Sequence, residues 1–367
     1  MDLEDARKNI DKIDAQITKL FELRMGEVLN VARIKKAKGI PVLNKAREAA
    51  VIEKNSALLS NPEFRPALER LYSGIFSIAH EYEGEFLKEK YNIGYQGVEG
   101  AFGHTAMLLI FKNELAGGCA EARNYRDFSD VFDALESGEI KYGVVPVENS
   151  STGVIRANYD LLRERDVYIL SEHSVRVEHN LLAPKGARLE DIRRVYSHPQ
   201  GFEQSGKFLA RHKDWERFPY YNTAISAKFV AEQASPSFAA ISSRDAARLY
   251  NLEIIAENIG DNSKNYTRFV KLGRELAYDN NADKISFIFG LRDAVGSLLR
   301  VLEAFRDNNI NMNNLESRPI PNQPWEYVFY SDVASNLDDG NFKKAIDRVR
   351  RDAAFVKILG CYKREVF

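Results

Sequence analysis

The first 38 residues constrain the fold more than any other stretch. Apolar side chains fall at Leu3, Ala6, Ile10, Ile13, Ile17, Leu20, Val31 and Ile34. Their alternating steps of three and four mark one helical face. No proline interrupts the run before Pro41, and Gly39 supplies a stop after Lys38. The pattern predicts a helix of about 35 residues, roughly 50 Å long at 1.5 Å per residue. Such a helix needs a partner along its length, from its own domain or from a second copy of the chain. Asn44 is a good cap for a second helix reaching about Leu59. Asn61-Pro62 opens a third helix, with Leu68, Leu71, Tyr72, Ile75, Phe76 and Ala79 on one side. Residues 1–90 therefore read as an all-helical domain.

Two charges, Arg24 and Glu27, stand in the seam of the first helix where apolar residues belong. An unpaired charge there is costly, so each needs a partner. Either the two pair with each other or form a register-setting polar layer, or the bundle core holds an anion. Lys35 lies about three turns beyond Arg24 on nearly the same face, whereas Arg7 is turned roughly 100° away. In a paired helix Arg7 would serve the partner's cavity.

From Tyr91 the pattern changes. Short β-prone runs (YNIGYQG, YGVVPVE, VYIL, VRVEHNLLA, VYSH, FAAISS, LEIIAENI, TRFVKLG) alternate with helical stretches. This predicts an α/β domain over residues 91–275, with a largely parallel sheet in two lobes. The polar stretch YDNNAD lies in a linker, 276–283, and residues 284–367 follow the order β-α-β-β-α-β of a ferredoxin-like domain. Three clusters stand out in the middle domain. Pro146–Gly153 follows a strand with hydroxyl and amide residues, as an anion site or an ordinary capped turn. Ser197-His198-Pro199-Gln200 follows another strand, and its histidine is either structural or functional. Asn265-Tyr266-Thr267-Arg268-Phe269 places an arginine in an apolar strand, which suggests a carboxylate partner or an exposed position.

Composition excludes several classes. Lys plus Arg is 52 against 53 for Asp plus Glu, so there is no basic footprint for nucleic acid. Cys119 and Cys361 form neither a metal spacing nor a disulfide framework. No signal peptide and no apolar run long enough to span a membrane is read, so a soluble, cytoplasmic protein is expected. No zinc spacing, nucleophile elbow, Walker loop or dinucleotide fingerprint appears, and no metal or other cofactor is expected.

The motifs GYQGVEGAFGHTA, GVVPVENSSTG, VYSHPQGFEQ, ENIGDNSKNYTRF and LESRPIPNQPWEYVFY occur in this order. With them the chain resembles the bifunctional chorismate mutase–prephenate dehydratases over almost its whole length. The resemblance implies a helical mutase bundle forming an intertwined dimer. It implies a two-lobed α/β dehydratase domain of the periplasmic-binding-protein type and a C-terminal ACT regulatory domain. It further implies conversion of chorismate to prephenate, then of prephenate to phenylpyruvate, with inhibition by phenylalanine in a homodimer or homotetramer. A dehydratase whose helical domain only dimerises, or a silent phenylalanine sensor, are the competing readings.

By resemblance, Arg7, Arg24, Lys35, Arg47 and Glu48 line the mutase pocket. Lys35 donates to the breaking ether oxygen, Glu83 acts as a second donor if protonated, and Glu48 accepts from the substrate hydroxyl. The family usually has an acid at Asn44, a small hydroxyl residue near Ala79 and often Gln near Glu83. In the dehydratase the resemblance points to Asn149, Ser197, Gln204 and Thr267. Thr267 is the donor to the departing hydroxide, while Arg268 and the Ser150 turn hold carboxylates. Gly296, Ser297 and Leu298, with Glu316, Ser317 and Arg318, are implied to bind phenylalanine. A chain ending near Asp279 is expected to stay active and ignore it.

Overall fold

The computed structural model describes residues 2–38, 45–87, 90–292, 294–320 and 327–365. Asn44, the expected cap, lies outside them. The chain forms two compact units, Met1–Lys90 with Gly117–Cys119, and Tyr91–Ala116 with Ala120–Phe367.

The first unit is helical: α1 (Leu3–Lys38), α2 (Lys45–Ser56) and α3 (Arg65–Leu87). Asn61 accepts a hydrogen bond from the Glu63 amide and starts a short turn, Pro62–Phe64, that leads into α3. Phe76 and Ala79 of α3 and Ala32 of α1 are buried. Leu71, expected on the inner side, is exposed. The seam of α1 is bare over its first half: Leu3, Ile10, Ile13, Ile17 and Leu20 are each more than half exposed.

The second unit has two sheets. Its strands are β1 (Tyr91–Gln96), β2 (Ala120–Tyr125), β3 (Tyr142–Asn149), β4 (Gly153–Val154) and β5 (Tyr168–Arg176). They continue with β6 (Asn180–Ala183), β7 (Arg194–Ser197), β8 (Glu216–Pro219), β9 (Phe238–Ser242) and β10 (Glu253–Ala256). The last are β11 (Tyr266–Gly273), β12 (Lys284–Leu291), β13 (Met312–Pro319), β14 (Tyr327–Val333) and β15 (Ala353–Tyr362). The larger sheet runs β13-β14-β12-β15-β5-β11-β3-β1-β2, with β4 against β3, and the smaller runs β10-β6-β9-β7-β8.

The expectation of a largely parallel sheet needs correction. β1 lies parallel to β2 and β3, but β11 is antiparallel to both β3 and β5. The chain leaves the first lobe through β5 and returns through β11, so these neighbours run in opposite senses. The β-α-β-β-α-β segment forms as expected, with β13-β14-β12-β15 antiparallel throughout.

Side chains on β12 alternate between two cores, as strand geometry requires. Phe287 and Phe289 pack with Val301, Phe305, Phe342 and Ile346 on the helix side of the C-terminal segment. Ile288 faces the other way and joins Val328, Tyr330, Leu359 and Tyr362 in a core shared with Phe132, Leu135, Val145, Tyr159, Leu162 and Val270. A chain ending near Asp279 would lose five of the eighteen buried residues of that core, so the activity expected of it would have to survive that loss.

The seam between the segments is tight. Gly360 of β15 pairs with Ile169 of β5, and a Cβ at Gly360 would meet the Ile169 carbonyl oxygen at 2.2 Å. Gly360→Ala should destabilise the second unit by about 1–3 kcal/mol, because backbone must move to admit the methyl group. Urea unfolding followed by tryptophan fluorescence measures this, and an unchanged midpoint would show that the seam yields freely.

Candidate functional site

In the helical unit, polar side chains of the three helices converge. Lys35 Nζ donates to Glu83 Oε2 at 2.8 Å, joining α1 to α3. His80 Nε2 lies 2.8 Å from Glu48 Oε1, joining α3 to α2. The Arg24 guanidinium sits 5.6 Å from the Phe76 ring centre. Arg24 Nη1 is buried with no hydrogen-bond partner among the described residues. Glu27 does not pair with Arg24; it accepts from Asn30 at 3.4 Å. Of the two readings of the charged seam, the missing Arg24 partner favours an anion. Glu83 meets Lys35 as an acceptor in the ligand-free chain, opposite to the donor role expected of it. Arg7 and Arg47 are exposed.

The second unit contains a cavity of about 440 Å³ between its two lobes. Strand ends supply Gln96 of β1, Asn149 of β3 and Thr267 of β11, with His198 directly after β7. Three helices begin at its wall: Phe102–Ile110, Phe128–Ser137 and Thr223–Gln233. Their dipoles favour negative charge there, although the side chains of Asp127 and Asn222 already cap two of the three starts. No Lys or Arg is among the lining residues, so an anion there would have to be met by helix starts, side-chain amides and hydroxyls. Burial lowers the pKa of His198, against an opposing pull from Glu203. Its Nδ1 accepts from the Gln200 amide at 3.2 Å and caps the helix Pro199–Glu203.

Asn149 is held firmly. Its Oδ1 accepts from the amides of Ser151 and Thr152 at 3.0 and 3.1 Å. Its Nδ2 donates to Asn265 Oδ1 at 2.8 Å and to Thr267 Oγ1 at 2.9 Å. Gln204 Oε1 lies 3.1 Å from Asn265 Nδ2 and 2.7 Å from His179 Nε2. Asn149, Gln204 and Thr267 thus meet at one cavity.

Three other expected residues have different positions. Arg268 follows Thr267 on β11 and so points to the opposite face. There it pairs with Glu148 at 2.9 Å, Glu172 at 3.2 Å and Asp332 at 3.1 Å. Lys284 bridges Glu172 and Asp332 at 2.7 and 3.0 Å. Arg268 therefore ties β3 and β5 to the C-terminal segment and does not line the cavity. Ser197 is fully buried, with its hydroxyl donating to the Ile241 carbonyl at 2.9 Å. A Cβ on Gly201 would come within 2.4 Å of that hydroxyl oxygen, so the glycine lets the helix start pass over it. Ser150 Oγ binds the Lys264 carbonyl and the Tyr266 amide, bracing the approach to β11 outside the cavity.

The residues expected to hold phenylalanine fall in two places. Gly296, with φ +76°, opens the helix Ser297–Asp307, where Ser297 Oγ donates to the Arg292 and Ala294 carbonyls. Leu298 packs on the adjoining core. Glu316, Ser317 and Arg318 lie on β13. Arg318 donates to the Arg156 carbonyl at 2.6 Å and to Asp160 at 3.1 Å, so it is committed to the helix Arg156–Glu164. No hydrogen bond or ion pair among the described residues joins the two groups.

The sequence reading missed His179, Asn222 and Thr223 at the cavity. Asn222-Thr223 carried a signal in retrospect, since the Asn222 side chain caps the helix that follows it.

Comparison with known proteins agrees with this geometry. The chorismate mutase type II pattern matches residues 6–84, prephenate dehydratase 93–277 and the ACT domain 285–351. These define a two-enzyme chain with a regulatory segment. The chain belongs to the bifunctional chorismate mutase/prephenate dehydratase family. It is 30% identical to that enzyme of Escherichia coli K12 over 98% of this chain and 95% of the other. The prephenate dehydratase of Arthrobacter aurescens, solved in complex with L-Phe, has a TM-score of 0.67 at 27% identity, covering 74% of this chain and 90% of that one. A chain described as GqqA, a novel type of quorum quenching acylase, also scores 0.67 at 26% identity, covering 75% and 98%. No described helix is long and apolar enough to cross a membrane.

The position of Arg268 makes a clear expectation. Arg268→Met would leave Glu172 and Asp332 with Lys284 alone, which should cost about 3–5 kcal/mol of stability, with little change in KM for prephenate. A raised KM at unchanged stability would return Arg268 to the substrate. Burial works against the charged form of Asp332, but Lys284 and Arg268 outweigh it and hold its pKa below the usual carboxylate range. That stabilisation is complete above the unfolded value, about 3.9, and is lost as pH falls through the lower folded value. Thermal melting of the second unit should drop below about pH 4.

Proposed function

We propose that this chain catalyses two successive steps of L-phenylalanine biosynthesis: chorismate to prephenate in the helical unit, and prephenate to phenylpyruvate in the cleft. The first is an intramolecular pericyclic rearrangement. It needs the dicarboxylate folded into its reactive shape and charge stabilised at the breaking ether bond. The unpaired, buried Nη1 of Arg24 is the observation that carries this reading, because a carboxylate supplies the partner it lacks. Lys35, turned from Glu83 to the ether oxygen, stabilises the charge developing there. Arg47 and Glu48 complete the pocket. Arg7 comes from a second copy, whose helix covers the bare seam of α1 in an intertwined homodimer.

In the second step the ring carboxylate leaves as carbon dioxide. The electron pair of the broken C–C bond enters the ring and expels the ring hydroxyl, whose oxygen takes up one proton to leave as water. Aromatisation drives the change. Thr267 donates its hydroxyl hydrogen to the departing oxygen, while the helix starts and Gln204 hold the substrate carboxylates. Phenylalanine inhibits by binding the C-terminal segment of a cytoplasmic enzyme. The segment's ACT match and the L-Phe complex of the Arthrobacter relative support this.

Two substitutions test both halves. Arg24→Ala should lower mutase turnover about 10²-fold or more and leave the rate on added prephenate near that of the parent. Thr267→Ala should do the reverse, so that prephenate accumulates from chorismate. Separate assays of prephenate and phenylpyruvate decide the outcome. Unchanged mutase turnover in Arg24→Ala would reduce the helical unit to a dimerisation element.

A further inference from the structure

The hydrogen-bond directions in the cleft can be worked out from two backbone donors. The amides of Ser151 and Thr152 are fixed donors, and both reach Asn149 Oδ1. The other end of that side chain must therefore be its NH2 group. It faces Asn265, so the oxygen of Asn265 is turned toward it and the Asn265 NH2 is turned toward Gln204. The Gln204 oxygen must accept from that NH2. His179 Nε2 meets the same oxygen at 2.7 Å, so His179 is the donor there and carries its proton on Nε2. Its Nδ1 is buried and has no partner among the described residues, which agrees with that tautomer. Burial also pushes the pKa of His179 down, against the smaller effect of the Gln204 bond, which keeps the ring neutral.

Two consequences reach the cavity. The Gln204 oxygen is occupied twice, so the amide cannot flip and its NH2 is left for a ligand. Thr267 Oγ1 accepts from Asn149, so its own hydrogen points elsewhere and donates to nothing among the described residues. Both free donors line the cavity. His179, Asn265 and Asn149 are each at most 5% exposed, so water does not compete for these bonds.

We propose that His179 and Asn265 are positioning residues for the dehydration step: acting through Gln204 and Asn149, they present the Gln204 NH2 and the Thr267 hydroxyl as two aligned donors to prephenate. The proposal rests on the dehydratase reading above. His179 acts on the Gln204 arm. Asn265 is the junction, accepting from Asn149 on one side and donating to Gln204 on the other. A donor fixed before the substrate arrives needs no reorientation during the reaction.

The test is a double-mutant cycle in the full-length protein, with kcat and KM measured on prephenate. His179→Leu should lower kcat/KM about tenfold or more, as loss of one aligned donor does. His179→Gln, whose amide also donates, should recover most of it. In a Gln204→Met background the His179→Leu change should cost nothing further, because its only route of action is gone. Should His179→Leu fail to fold, Asn265→Asp keeps the size of the side chain. It still accepts from Asn149 but repels the Gln204 oxygen, so its loss should match that of Gln204→Met and not add to it. Losses that multiply in the cycle, equal losses for His179→Leu and His179→Gln, or parent-like kcat/KM in His179→Leu and Asn265→Asp would each overturn the proposal. A parent protein that fails to convert prephenate would instead sink the dehydratase reading itself.

Discussion

The second unit depends on β11 and its period of two. Paired on both edges, the strand sets Thr267 opposite Asn149 and Val175, and Arg268 one residue on. One face of the strand therefore offers a hydroxyl to the cavity. The other sends a guanidinium into a cluster of three carboxylates, one of them on β14. A one-residue slip would exchange these environments and put an arginine into a cavity whose lining holds no cation. The buried ion pairs of Arg268 thus help to fix the register that the chemistry requires.

On the proposed function, the cleft would meet a dianion without a Lys or Arg in its lining. Helix starts provide partial charge that carries no flexible side chain to be ordered. The amides of Asn149, Asn265 and Gln204 then convert two backbone donors, Ser151 and Thr152, into a directed sequence of hydrogen bonds across the cleft. In the helical unit the logic differs. There the contacts Lys35–Glu83 and His80–Glu48 join the three helices, and the Arg24 guanidinium lies against Phe76.

Much of the fold was legible in the sequence because local spacing carries it. The run of apolar residues in α1, the Asn61-Pro62 start and the β-α-β-β-α-β order of the last segment all have local signals. β2 and β8 escaped because AEARNY and ERFP are edge strands with mostly exposed side chains and no apolar alternation. Neighbours in sequence misled at Arg268, which adjoins Thr267 along the chain but faces away from it. Ser197 misled because its hydroxyl is consumed by the Ile241 carbonyl, 44 residues distant. His179 had no signal at all, and Asn265 stood out only as a chain neighbour of Thr267: its bond to Asn149 spans 116 positions, and only the folded sheet brings the two together.

The shared core has a consequence for ancestry. Ile288, Val328, Tyr330, Leu359 and Tyr362 of the last segment are as much part of the catalytic lobe as Val145 or Val270. A regulatory segment borrowed from another enzyme would arrive without the matching face and without Asp332 and Lys284 for Arg268 and Glu172 to meet. Exchange by recombination would therefore need matching changes on both faces at once. The opposite side, around the helices Ser297–Asp307 and Gly340–Asp352, is outside that shared core and is freer to change.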